Sequence, residues 1–105
     1  MNLDQTIKEY PNLIVEFYTD WSASSFMVGE MIKELEQEFE SPIEIKFIDA
    51  DTATEECREY GVFRIPTLLF FKNGEVIKYL HGTPSRADIL AAIEIMLKTE
   101  NLEER

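Results

Sequence analysis

The side chains best placed by type and spacing to do chemistry are Ser22 and Ser25, which follow Trp21, together with the Cys57 thiol, the His81 imidazole and the Glu16 carboxyl. A serine hydroxyl becomes a nucleophile only with a base within hydrogen-bond reach, and His81 is the only histidine. The plainer reading makes His81 a surface residue and gives Ser24 and Ser25 to capping the helix that begins there. That helix N-terminus would also attract a small anion, as many do. Cys57 is the only cysteine, which excludes an intramolecular disulfide. Lying mid-helix, it is expected to face the core as an inert thiol. Glu16 falls inside an apolar strand, where a carboxyl must be hydrogen-bonded or protonated. No cluster of ligating residues is spaced for a metal, and no cofactor is expected.

The elements that position these residues follow from periodicity. Residues Asp4 to Tyr10 are a short helix candidate ended by Pro11. The run Leu13 to Tyr18 is almost continuously apolar, as suits a central strand covered on both faces. Met27, Val28, Met31, Ile32, Leu35 and Phe39 recur at helical spacing, which predicts a helix over Ser24 to Phe39 stopped by Ser41-Pro42. Ile43 to Ile48 alternates as a second strand, expected to pair in parallel through a right-handed crossover. A third helix is expected from Thr52 to Tyr60, with Thr52 and Glu55 as a capping box and Gly61 as its stop. Thr67 to Phe71 and Val76 to Leu80, joined at Asn73-Gly74, predict a hairpin. Ser85 caps a last helix that is apolar at Ile89, Leu90, Ile93 and Leu97, and the tail over 99–105 is expected to fray.

At 105 residues the chain makes one small domain spanning 1–105, with a single core. Its apolar share of 45% argues for a globular rather than a disordered chain. A formal charge of −11 opposes nucleic acid and anionic membranes as partners. The acidic residues Glu30, Glu34, Glu36, Glu38 and Glu40 read as a solvated helix face. No apolar run reaches the ~18 residues of a membrane span, and the first residues lack a signal-peptide pattern. A cytoplasmic location is expected.

Three stretches together resemble the thioredoxin family: Val15-Glu16-Phe17-Tyr18 through Ser25, Tyr60-Gly61-Val62-Phe63-Arg64-Ile65-Pro66-Thr67, and Phe71-Lys72-Asn73-Gly74-Glu75. The resemblance extends from about Asp4 to Leu97. It implies an α/β thioredoxin fold, a four-stranded mixed sheet flanked by helices and lacking the usual N-terminal strand. It also implies a cis Ile65–Pro66 bond facing the Trp21 corner, and a groove for extended polypeptide formed by Trp21, Ser22, Ile65, Pro66 and Gly82. His81 would lie beside that groove. Ser22 and Ser25 stand at the family's attacking and resolving cysteines, and Glu16 at the buried acid that assists proton transfer. The departures weigh as much: Ala23-Ser24 replaces Gly-Pro, Phe26 a basic residue, and Glu30 a kinking proline. The missing strand would leave Ile43 to Ile48 as an open edge, with Lys46 as the charge that discourages pairing.

A hydroxyl at either motif position can neither ionise nor form a disulfide, so the family's mixed-disulfide route is closed to it. The expectation is a redox-inactive thioredoxin-like protein that binds extended polypeptide non-covalently. The competing reading makes Ser22 and Ser25 cysteine replacements in an active protein-disulfide reductase of cell redox homeostasis. A third assigns a structural or assembly role, with homodimerisation through the 43–48 edge.

Overall fold

In a computed structural model the chain is described over residues 3–103, with side chains described as far as 98. The elements run α1 (Leu3–Glu9), β1 (Asn12–Tyr18), α2 (Ala23–Glu36), β2 (Glu44–Asp49), α3 (Thr54–Glu59), β3 (Thr67–Lys72), β4 (Glu75–His81) and α4 (Arg86–Glu103). The sheet has the order β2-β1-β3-β4. β1 runs parallel to β2 and antiparallel to β3, and β3 runs antiparallel to β4. This is the expected four-stranded mixed sheet, and β2 forms one of its edges among the described residues.

The period-2 alternation of the central strands divides the core. Ile14, Leu68 and Phe70 point to the face covered by α2 and α4, where they meet Val28, Ile32, Leu35, Ile89 and Ile93. Leu13, Val15, Phe17, Leu69 and Phe71 point the other way, against Leu3 and Ile7 of α1 and the flank of α3. Both faces of β1 and β3 are therefore covered, which accounts for their apolar continuity. The single core expected from chain length is thus two layers separated by the sheet. On the hairpin, Asn73 (φ 50°) and Gly74 (φ 88°) both take the positive φ that a tight Asn-Gly turn needs.

Several boundaries differ from the sequence expectation, each for a local reason. α2 begins at Ala23, and its cap is Ser22 rather than Ser24 or Ser25. It ends at Glu36, ahead of Ser41-Pro42, because the Glu38 and Phe39 amides turn back to the carbonyls of Leu35 and Glu36. Phe39 still packs on the core from that turn. The Thr52–Glu55 capping box does not form: the Thr52 hydroxyl donates to the Asp49 carbonyl, and Ala53 is left as a cap without a side-chain bond. Gly61 does end α3, at φ 67°, and the Val62 amide reaches back to the Cys57 carbonyl at 2.8 Å. At α4 the Ser85 hydroxyl accepts from the Asp88 amide while the Asp88 carboxylate accepts from the Ser85 amide. α4 runs to Glu103 and so takes in the first part of the 99–105 tail; residues 104 and 105 lie outside the described residues.

Candidate functional site

Register assembles the site. Phe17 of β1 stands opposite Thr67 of β3, and Thr67 stands opposite His81 of β4. Just beyond these paired residues come the Trp21–Ser22 corner, Pro66 and Gly82, so all three share one end of three adjacent strands. The Ile65–Pro66 peptide is cis, and the Gly82 amide donates to the Pro66 carbonyl at 2.9 Å. Gly82 is buried, and a Cβ there would sit 3.3 Å from the Arg64 guanidinium. Trp21 is 73% exposed. Its indole N–H donates to the Asp51 carboxylate at 3.0 Å, which ties the corner to the turn after β2.

Neither hydroxyl of the motif is free. Ser22 caps α2, its Oγ accepting from the Ser25 amide at 3.1 Å. Ser25 is buried, and its Oγ accepts from the Thr19 amide at 3.4 Å. Each serine therefore satisfies a backbone N–H that a tight strand-to-helix turn would otherwise leave unpaired.

Behind the corner lies a cleft of about 340 Å³ between α2 and β2. Glu16, wholly buried on β1, lines it, and neither carboxyl oxygen has a hydrogen-bond partner among the described residues. Burial pushes the Glu16 carboxyl up to about 8, only partly opposed by the Lys33 ammonium. Glu16 is therefore protonated at neutral pH. The carboxyl lies close against Gly29: a Cβ there would come within 2.9 Å of Glu16 Oε1 and 3.3 Å of the Phe47 ring.

A Thioredoxin family model matches residues 1–95 of the chain. The chain belongs to the thioredoxin family. It is 28% identical over 89 residues to a thioredoxin of Mycobacterium tuberculosis, covering 85% of this chain and 77% of that protein. It is 30% identical over 81 residues to a thioredoxin of Pyropia yezoensis, covering 77% and 76%. Against a chloroplastic thioredoxin of Oryza sativa the match covers 78% of this chain but spans about half, 47%, of the rice protein. Among solved structures, reduced thioredoxin pre-protein from Schistosoma mansoni superposes with a TM-score of 0.78 at 25% identity, covering 90% of each chain. A mutant thioredoxin from Halobacterium salinarum reaches a TM-score of 0.80 at 24% identity, over 90% of this chain and 81% of that one, a likeness of fold.

Within this thioredoxin-family domain the remaining sequence candidates separate. His81 engages neither serine in any hydrogen bond among the described residues. Its Nδ1 lies 3.4 Å from the Thr67 hydroxyl, and its ring stacks between Phe63 and Tyr79 at centroid distances of 5.0 and 5.8 Å. Cys57 is half-buried rather than wholly in the core, because α3 lies at the rim of the second layer. Its Sγ lies 3.9 Å from the Ala50 carbonyl, and burial, with Glu56 nearby, raises the thiol above its ordinary range. No helix is long and apolar enough to cross a membrane, and no three acidic, histidine or cysteine side chains are grouped to hold a metal, among the described residues. The cleft itself was missed. Its only sequence signal is Gly29, a glycine inside a helical pattern.

Proposed function

We propose that this thioredoxin-family chain does not reduce disulfides and binds extended polypeptide non-covalently at the groove of Trp21, Ser22, Ile65, Pro66 and Gly82. The observation that carries the reading is the state of the motif hydroxyls: both already hold the corner together as acceptors of backbone N–H groups. Oxygen there cannot enter a mixed disulfide. The only thiol sits on α3, where its raised pKa keeps it protonated and a weak nucleophile. Support for binding comes from the aromatic surface around the groove. Trp21 and Phe63 are 73% and 77% exposed, and Phe63 precedes the Arg64-Ile65-Pro66 segment that forms one wall. Exposed aromatics flanking a main-chain groove are the usual anchors of a peptide.

The test is disulfide reductase turnover of the chain as it stands, beside the Ser22→Cys, Ser25→Cys double variant. Turnover by the unmodified chain overturns the reading. An inactive but folded double variant supports a dedicated binding site, and titration with an extended peptide should then shift Trp21 emission. An active double variant favours the second reading, that the surroundings are those of a working reductase with only the thiols replaced. The names of the relatives given above, each a thioredoxin, favour that second reading.

An assembly role draws support from β2, whose outer side pairs with no strand among the described residues. On this edge the Lys46 ammonium lies 5.5 Å from the Tyr10 ring centroid and 3.3 Å from the Glu44 carboxylate. Sedimentation over a wide concentration range decides it. A mass that doubles with concentration, and no longer does so in Lys46→Pro, supports pairing of two copies through β2; a monomer throughout removes the role.

A further inference from the structure

The cleft behind the corner holds a second feature that the polypeptide groove, which shares only Ser22 with it, does not use. Thr19, 97% buried by its 3% residual exposure, also lines the cleft, and its hydroxyl has no hydrogen-bond partner among the described residues. Two buried polar side chains, Glu16 and Thr19, thus line one cavity with no hydrogen-bond partner among the described residues. Orphaned buried polar groups each carry a substantial desolvation penalty, and native proteins pair nearly all of them. Two in one cavity call for partners from outside the chain.

The walls define that ligand. Phe26 and Phe47 line it with aromatic surface, the Lys33 ammonium lying 5.5 Å from the Phe47 ring centroid, and Gly29 leaves the space in front of the carboxyl open. From α2 the cleft receives Glu30 and Lys33, which pair with each other at 3.1 Å. From the end of β1 it receives Tyr18, from the following turn Asp20, and from β2 only the uncharged Phe47 ring. With Lys33 paired to Glu30 and Glu16 protonated in the free protein, Asp20 is the remaining charge at the cleft, on a chain of net charge −11. An anion is therefore disfavoured there. A volume of about 340 Å³ lies at the small end of ligand pockets, which start near ~300 Å³.

We propose that the α2–β2 cleft is a binding site for a small organic cation, an amine or amidine on an aromatic body, with Glu16 and Thr19 receiving its N–H donors and Phe26 and Phe47 its ring. Binding then places the charge against the Glu16 carboxylate and releases the proton that Glu16 holds in the free protein. One pH unit below the carboxyl midpoint, that release lowers affinity about tenfold, so binding tightens as pH rises toward 8 and levels off above it.

Benzamidinium, which stays protonated across this range, serves as the probe, with benzoate and benzamide as its anionic and neutral counterparts. In NMR titrations of the whole chain, benzamidinium should shift the amides of Glu16, Thr19 and Phe47, with affinity rising about tenfold per pH unit between pH 6 and 7.5. The Glu16 side-chain carboxyl resonance should titrate at lower pH with the probe bound. Glu16→Gln should lose at least tenfold in affinity while keeping a charge of −10, so that loss separates the site from general attraction to an acidic surface. Thr19→Val should lose several-fold. No binding, equal binding of benzamide or benzoate, pH-independent binding, or an unaltered Glu16→Gln would each overturn the proposal. If Glu16→Gln does not fold, the bound-state titration of the Glu16 carboxyl decides alone: an unmoved midpoint overturns it.

Discussion

At Glu16, burial and a nearby cation pull in opposite directions, and burial wins. The carboxyl is raised to about 8, mainly by desolvation, with Lys33 recovering only part of the shift. An unfolded glutamate loses its proton near 4.5, whereas the folded chain holds it to about 8. The contribution is therefore fully present below pH 4.5 and is lost as pH rises toward 8, with a slope of up to ~1.4 kcal/mol per pH unit. The difference in urea stability between Glu16→Gln and the unmodified chain should accordingly grow from pH 5 to pH 8, the variant gaining with rising pH. A difference independent of pH would mean that the carboxyl ionises freely. The side chain was legible from sequence as a buried acid. Its lack of partners was not, because that depends on what three other elements bring to it.

At the scale of elements, α2 shows how a helix is shaped by what it covers. Gly29 sits inside it, where alanine ordinarily gains ~1 kcal/mol. Here the added Cβ meets Glu16 Oε1 at 2.9 Å and Phe47 at 3.3 Å. Gly29→Ala should therefore gain nothing or lose stability, while in a Glu16→Ala background the same change should be favourable. A double-mutant cycle by chemical denaturation measures the coupling, expected at ~0.5–3 kcal/mol; additivity would show that the carboxyl moves aside at no cost. Local signals were read correctly where they suffice alone: Asn73-Gly74 fixes its hairpin, Ser85 with Asp88 caps α4, and Gly61 ends α3. They failed where two partners compete for one group. Thr52 had a capping pattern, but the Asp49 carbonyl took its hydroxyl. Three serines stood near the start of α2, and which one caps it follows from how the chain leaves β1, not from residue type.

Across the whole molecule, stability is distributed unevenly, because the sheet separates two packed layers and the helices share them unequally. α2 and α4 bury long apolar stripes, whereas α3 has only six residues, none buried, and no side-chain cap. Segments with few buried contacts open in small local steps far below the cost of global unfolding. Cys57 rides on this segment, half-covered and facing the Ala50 carbonyl. Its modification by a thiol reagent should therefore proceed at native conditions and depend only weakly on urea until the main transition. A labelling rate that tracks global unfolding throughout would instead bind α3 into the same cooperative unit as the central strands. The one thiol of this chain is thus placed to act as a clock for the opening of the shortest described helix, timed by motion rather than by redox chemistry.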